Sequence, residues 1–185
     1  EFRTPLTATI GFCELVEEEL EAGETAAALE DVRRARLAAN ILLQLVNDIL
    51  DAAQLEAGQM RISVERFDVE LLTHQVAESV MRQVEEQGNT LTVECTGDVR
   101  VMESDPRKLR QILYNLLSNA AKFTRNGSIR FRLRRELHES GEMACFEIED
   151  TGIGIAPEHL SRLFTEFYQI DFMPDPARPG TGLGL

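Results

Sequence analysis

The stretch that decides the fold reads Asn115-Leu116-Leu117-Ser118-Asn119-Ala120-Ala121-Lys122. Asn115, Asn119 and Lys122 follow one another at steps of four and three, so one face of a helix carries all three polar side chains. Leucines occupy the opposite face, which predicts a helix packed on a core. Two amide oxygens and one ammonium suit a magnesium-bridged phosphate group. A solvated polar face is the alternative, and these residues taken alone favour it.

A second polar group lies at the end of a predicted strand. Ala144, Phe146 and Ile148 share one side of that strand, and Asp150 continues the same side. We therefore expect a buried, hydrogen-bonded carboxylate, because desolvating an unpaired one is costly. Glycines in Asp150-Thr151-Gly152-Ile153-Gly154 let the backbone approach a ligand closely. The carboxylate can accept from an exocyclic amine such as that of adenine, and a turn with a capping aspartate is the equally weighted alternative.

The third motif is the glycine-rich run Gly180-Thr181-Gly182-Leu183-Gly184. Its alternating glycines offer bare backbone N–H groups to phosphate, although such a run alone is weak evidence. Pro174, Pro176 and Pro179 precede it and exclude a regular helix or a central strand. We expect residues 172–179 to form an irregular loop that could act as a lid.

Upstream of these motifs, the pattern predicts a helical hairpin. Apolar positions recur at alternating steps of four and three in two segments, as in helices packed side by side. The first seam is Phe2, Leu6, Thr9, Cys13, Val16 and Leu20, and the second is Val32, Ala35, Ala39, Leu42, Val46, Ile49 and Ala53. Two copies would complete a four-helix bundle, which predicts a homodimer through residues 1–57. Packing of the hairpin on the rest of the same chain is the alternative.

From Gly58 onward helices and strands alternate. Asp68 and Asp105-Pro106 mark two helix starts, and strands are predicted around residues 91–95, 99–101, 129–133 and 144–150. The predicted class is α+β: a helical hairpin forming a dimeric four-helix bundle, followed by an α/β sandwich. The domain boundaries are expected at 1–57 and 58–185.

Composition limits the partners and the compartment. The 185 residues carry a formal net charge of −13, which disfavours nucleic acid as a partner. The three cysteines lie far apart, which suggests reduced thiols and a cytoplasmic setting. No signal peptide and no run of about 18 apolar residues is present, so we expect membrane attachment only through regions outside this chain.

The order of the motifs resembles the ATP-binding domain of sensor histidine kinases. The matches are the N box (residues 115–122, followed by Phe123-Thr124), the G1 box (150–154), the F box (164–167) and the G2 box (180–184). Residues 1–7 look like the H box of the dimerisation and phosphoacceptor domain, and residues 49–58 look like that domain's second helix and exit. The resemblance covers essentially the whole chain.

This resemblance implies ATP and Mg²⁺ as cofactors and assigns residues to them. Asn119, assisted by Asn115, would hold Mg²⁺, and Lys122 would contact phosphate. Asp150 would recognise the adenine amine. The remaining nucleotide-binding residues would be Gly152, Gly154, Phe167, Gly180, Thr181, Gly182, Leu183 and Gly184.

The resemblance also implies phosphoryl transfer from ATP to a histidine, and then to an aspartate of a response-regulator receiver domain. Glu1 would accept the imidazole proton, and Thr4 would orient the water that dephosphorylates the regulator. The family's acceptor histidine would stand one position before Glu1. We therefore expect residues 1–185 alone to bind Mg-ATP without incorporating acid-labile phosphate.

Two alternatives accompany this interpretation. An ATP hydrolase of the same fold usually has glutamate where Asn115 stands, and an amide cannot take a proton from water. A pseudokinase or nucleotide-binding scaffold would lack the acceptor histidine, so the residue before Glu1 separates it from a kinase.

Overall fold

The computed structural model describes residues 2–97, 99–139 and 141–163. Within them the chain divides into two compact units, of which the first ends at Met60 and the second begins at Arg61. The first unit is a helical hairpin of α1 (Arg3–Glu21) and α2 (Thr25–Glu56). Gly23 turns the chain between the helices at a φ of +80°, a conformation that favours glycine. The predicted hairpin is confirmed.

The two sides of α2 have different environments. The residues buried against α1 follow their own three-four repeat, namely Ala28, Asp31, Ala35, Ala38 and Leu45. Of the predicted seam only Ala35 is buried, whereas Val32 and Val46 are exposed. The predicted seam of α2 therefore lies partly inside the hairpin and partly on its outer face. A broad apolar repeat on one helix can contact two different neighbouring helices.

The second unit holds two sheets. A short antiparallel pair joins β1 (Glu65–Asp68) to β3 (Val101–Ser104). In the larger sheet, β2 (Thr90–Thr96) runs parallel to β4 (Ser128–His138), and β4 pairs antiparallel with β5 (Gly141–Asp150). Its helices are α3 (Val69–Glu86), α4 (Pro106–Phe123) and the short α5 (Pro157–Leu160). The predicted α+β order is confirmed, while β1 was not anticipated.

The core of this unit lies between α3, α4 and one face of the larger sheet. Alternation along β4 explains it: Ile129, Phe131 and Leu133 are buried, while Arg130 and Arg132 point to the opposite face. Those arginines form ion pairs with glutamates on both neighbouring strands, namely Glu94, Glu147 and Glu149. One face is therefore apolar and the other is a charged ladder.

Aspartates begin both long helices of the second unit. Asp68 accepts a hydrogen bond from the Leu71 N–H at 2.8 Å. Asp105 accepts from the backbone N–H groups of Ser63, Lys108 and Arg107, which together hold the pKa of its carboxyl below the usual 3.8. Both predicted helix starts are confirmed.

Within the part of the chain that the structure describes, no helix is both long and apolar enough to span a membrane.

Candidate functional site

Helix α4 presents the polar face that its sequence predicts. Asn115, Asn119 and Lys122 are half-buried on it, while Leu113 and Leu117 on the other side are buried in the core. Among the described residues, none makes a hydrogen bond to the side-chain amide of Asn115 or Asn119. The Lys122 Nζ lies 5.2 Å from the centre of the Phe123 ring. Two half-buried amides without internal partners are free to act as ligands.

The turn after β5 is attached to the end of this helix. The Ile153 N–H donates to the Phe123 carbonyl at 3.3 Å, and the Thr151 N–H donates to the Ser128 carbonyl at 3.1 Å. A Cβ on Gly152 would lie 2.5 Å from that same Phe123 oxygen, so only glycine fits without a shift. The structure therefore brings the predicted G1 turn and the N-box helix together.

The carboxylate of Asp150 accepts two hydrogen bonds through one oxygen. Its Oδ1 accepts from the Gly152 N–H at 2.8 Å and from the Thr124 Oγ1 at 3.4 Å. The expected burial is wrong, because Asp150 is exposed. It is the last residue of β5, and it lies beyond the core-packed positions Phe146 and Ile148 on the same side. The apolar side of the strand ends before this residue.

The second oxygen of Asp150 differs from the first. No donor in the described part of the chain contacts Oδ2. Gly154 lies two residues beyond Gly152 and has a φ of +67°, and a side chain there would meet none of the described residues within 4 Å. The turn thus presents a fixed carboxylate with one uncommitted oxygen next to bare backbone.

A buried amide that sequence reasoning missed connects these segments. Asn89 donates from Nδ2 to the Thr124 carbonyl at 2.8 Å and to the Ala121 carbonyl at 3.4 Å. Its Oδ1 accepts from the Gly127 N–H at 3.0 Å. The dipeptide Gly88-Asn89 predicts a turn, but nothing in it indicates partners more than 30 residues away.

Thr151 was also missed as a structural residue of the turn. Its hydroxyl oxygen accepts from the Ser128 N–H at 2.9 Å. A Cβ on Gly127 would meet that hydroxyl and the Thr124 methyl group. Glycine at this position therefore allows the chain before β4 to approach the turn after β5. The G1 turn is therefore held from β4 as well as from α4.

The remaining predicted site residues lie elsewhere. Thr4 is exposed in the first turn of α1, in the first unit. The other predictions fall outside the described residues, namely Glu1, Phe167, Gly180, Thr181, Gly182, Leu183 and Gly184.

Comparison with known proteins gives two family matches. Residues 1–58 match the His Kinase A (phospho-acceptor) domain. Residues 104–185 match the histidine kinase-, DNA gyrase B- and HSP90-like ATPase family. The second match contains α4 and the turn at Asp150.

Relatives match the whole chain. Hybrid signal transduction histidine kinase B of Dictyostelium discoideum is 36% identical over 188 residues, covering 100% of this chain and 9% of that protein. Circadian input-output histidine kinase CikA of Synechococcus elongatus is 37% identical, covering 100% of this chain and 24% of that protein. The chain thus spans less than a quarter of either relative.

A solved structure also matches the whole chain. Full-length ShkA in complex with AMPPNP superposes with a TM-score of 0.69 at 33% identity, covering 100% of this chain and 37% of that one. The hairpin, the sandwich and both family matches lead to one conclusion: the chain belongs to the sensor histidine kinase family and carries its catalytic core.

Proposed function

We propose that the chain is the kinase core of a two-component sensor. It binds Mg-ATP in the second unit, transfers the γ-phosphoryl group to a histidine of the hairpin domain, and passes it to an aspartate of a response-regulator receiver domain. The observation that carries the proposal is the Asp150 carboxylate, fixed by Gly152 and Thr124 in a turn attached to the asparagine helix.

Adenine recognition is assigned to Asp150. Its Oδ1 is engaged by the turn, and Oδ2 remains available for an exocyclic amine. A charged acceptor strengthens such a hydrogen bond and discriminates against guanine, whose equivalent position carries an oxygen. Gly152 and Gly154 have no side chains, so the backbone can lie close to the base.

The phosphate end is assigned to α4. Mg²⁺ prefers oxygen ligands and keeps several waters, so the amide oxygens of Asn119 and Asn115 fit it without a dedicated carboxylate cage. When bound with ATP, the ion would neutralise charge on the phosphates. Lys122, one turn beyond Asn119, supplies a point charge for phosphate. We assign the glycines at 180, 182 and 184 to the same phosphates by resemblance.

Phosphoryl transfer is assigned to the hairpin. Glu1 takes the proton from one imidazole nitrogen of the acceptor as the other nitrogen attacks the γ-phosphate and ADP leaves. In a separate hydrolysis, Thr4 orients the water that releases phosphate from the regulator's aspartate. We propose residues 1–57 as the dimerisation and phosphotransfer domain and residues 58–185 as the ATP-binding domain.

Replacing Asp150 by asparagine tests the nucleotide site. Asp150→Asn keeps an Oδ1 acceptor for the turn but replaces Oδ2, the acceptor assigned to the adenine amine, with an amide donor. Losing that charged hydrogen bond is worth roughly 1.5–3 kcal/mol. Isothermal titration should therefore report ATP affinity about ten- to a hundredfold lower.

Glu149→Gln is the matched control, because Glu149 is the neighbouring exposed carboxylate and pairs with Arg130 and Arg132 on the charged face. It should bind ATP as the parent does. Equal affinity in Asp150→Asn and the parent would contradict the adenine assignment.

A further inference from the structure

Three side chains of different chemistry meet in the second unit. Glu70 and His74 stand one turn apart on α3, and Cys95 lies near the end of β2. One ligand atom of each, a carboxylate oxygen, a ring nitrogen and the sulfur, lies within 4.8 Å of the other two. The cluster forms because α3 packs on β2, whose Leu91 and Val93 contact the core on the same side as Cys95.

A small cavity adjoins this cluster. Its volume is about 20 Å³, and its walls are Glu70, Cys95, Thr96, Val99 and Leu133. A space of that size accommodates one water molecule or one ion. Glu70 and Cys95 are half-buried, while His74 is exposed, so an ion can reach the cluster from solvent.

The cluster is separate from the nucleotide motifs. Ile129 on β4 pairs with Asp150, whereas Cys95 pairs with Leu133 four residues further along the same strand. Four residues of strand span about 13 Å. An ion here would not be the magnesium that accompanies ATP.

The donor set selects the ion. Thiolate, imidazole and carboxylate are the ligands that zinc accepts, and a soft sulfur ligand disfavours magnesium and calcium. We propose that Glu70, His74 and Cys95 bind a Zn²⁺ ion through three protein ligands. The fourth position is left to water.

Small side-chain movements suffice for this coordination. Ligand atoms around a tetrahedral zinc lie about 3.5 Å apart, so atoms within 4.8 Å of one another need to draw together by at most roughly 1.3 Å. His74 is exposed and can adjust by rotation. Burial raises the pKa of the Cys95 thiol, and the Glu70 carboxylate raises it further, so zinc must displace a proton when it binds. The positive ion then offsets the repulsion between thiolate and carboxylate.

Metal titration of the full chain tests the site. The chelator-treated chain should take up one equivalent of Zn²⁺ in equilibrium dialysis, and its melting temperature should rise and fall back with EDTA. Co²⁺ used as the probe should give a thiolate-to-cobalt charge-transfer band in the near ultraviolet.

Four variants separate this site from adventitious binding. Cys95→Ser should abolish the cobalt band, and His74→Ala, at an exposed position, should weaken zinc binding at least tenfold. Cys145→Ser and Cys13→Ser are matched controls at the two other free cysteines, and both should keep the band. A band that survives in Cys95→Ser, a band lost in either control, unchanged zinc affinity in His74→Ala, or no stoichiometric uptake by the parent would overturn the proposal.

Discussion

Gly152 stands where the turn after β5 passes closest to the end of α4. A Cβ at this position would lie 2.5 Å from the Phe123 carbonyl oxygen and 2.8 Å from the Asp150 Oδ1. Neither atom can yield easily, because the first is backbone and the second is fixed by two donors. The turn and its carboxylate must therefore move together if a side chain is added.

We expect Gly152→Ala to lower ATP affinity about ten- to a hundredfold, since backbone strain of this kind costs roughly 1–3 kcal/mol and displaces Asp150. Nucleotide titration measures the effect. Gly11→Ala is the comparison, because a Cβ there meets none of the described atoms within 4 Å and Gly11 lies on α1, away from the residues assigned to the nucleotide. If both variants lost affinity equally, the close contact at Gly152 would not be the cause.

At the level of single residues, the sequence predicts side chains whose role depends on near neighbours. The face shared by Asn115 and Asn119 follows from helix geometry. The tight fit at Gly152 does not follow from local pattern, because a Cβ there would meet the carbonyl oxygen of Phe123 at the end of α4. The exposure of Asp150 depends on where the covering helices end, and the role of Asn89 depends on partners across the fold. No local pattern contains that information.

Within the hairpin element, two acidic side chains lie in an unfavourable setting. Glu19 on α1 has a buried Oε2 that has no hydrogen-bond partner among the described residues, and Asp31 on α2 is buried and paired with Arg34. Desolvation raises the pKa of Glu19 above the usual 4.5, and Asp31, Glu24 and Glu30 raise it further while Arg34 opposes them. An ionised Glu19 therefore destabilises the folded hairpin.

The sign of the pH dependence follows from linkage. The pKa of Glu19 is raised in the folded state, so ionised Glu19 lowers the stability of the fold. This loss of stability is absent below pH 4.5, grows as the pH rises toward the folded-state pKa, and is constant above it. We expect Glu19→Gln to raise the melting temperature of the chain at neutral pH and to match the parent in acid.

Glu18→Gln removes the same charge from an exposed neighbour and controls for net charge. It should change the melting temperature less than Glu19→Gln does. A Glu19→Gln variant that melts below the parent at pH 7 would show that the carboxylate has a stabilising partner.

Elements are predicted best where their ends carry local signals. Asp68, Asp105-Pro106 and Gly23 mark helix boundaries by side-chain or backbone chemistry that acts within four residues. Strand β1 has only four residues and exists because β3 pairs with it from more than 30 residues away. Short strands formed by distant pairing leave little trace in the sequence.

For the molecule as a whole, the outer face of the hairpin remains apolar. Exposed positions on α2 repeat at steps of three and four, namely 29, 32, 36, 39, 43, 46, 50 and 53. Position 36 is arginine, positions 39 and 53 are alanine, and the other five are leucine or valine. The large ones are Leu29, Val32, Leu43, Val46 and Leu50. An apolar stripe of this kind, interrupted only at Arg36, favours burial in an interface. It supports the proposed homodimer of the hairpin as a four-helix bundle.

Light scattering of the full chain should therefore report a dimer. Val46→Glu places a charge in the stripe and should raise the dissociation constant about a hundredfold, since an unpaired buried charge costs several kcal/mol. Leu37→Glu is the control, because Leu37 is also exposed but lies on another side of α2. A monomeric parent, or equal weakening by both substitutions, would contradict the bundle.

The parallel pairing of β2 with β4 also fixes a sequence of events during synthesis. The hairpin needs only neighbouring segments and can close as soon as α2 leaves the ribosome. Thr90 must wait for Ser128, its partner in β4. At about 5–20 residues per second, the nearly 40 residues between them take roughly 2–8 seconds to make. For those seconds the apolar side of β2, with Leu91 and Val93, has no neighbouring strand, so the nascent ATP-binding unit is exposed to aggregation for longer than the hairpin is.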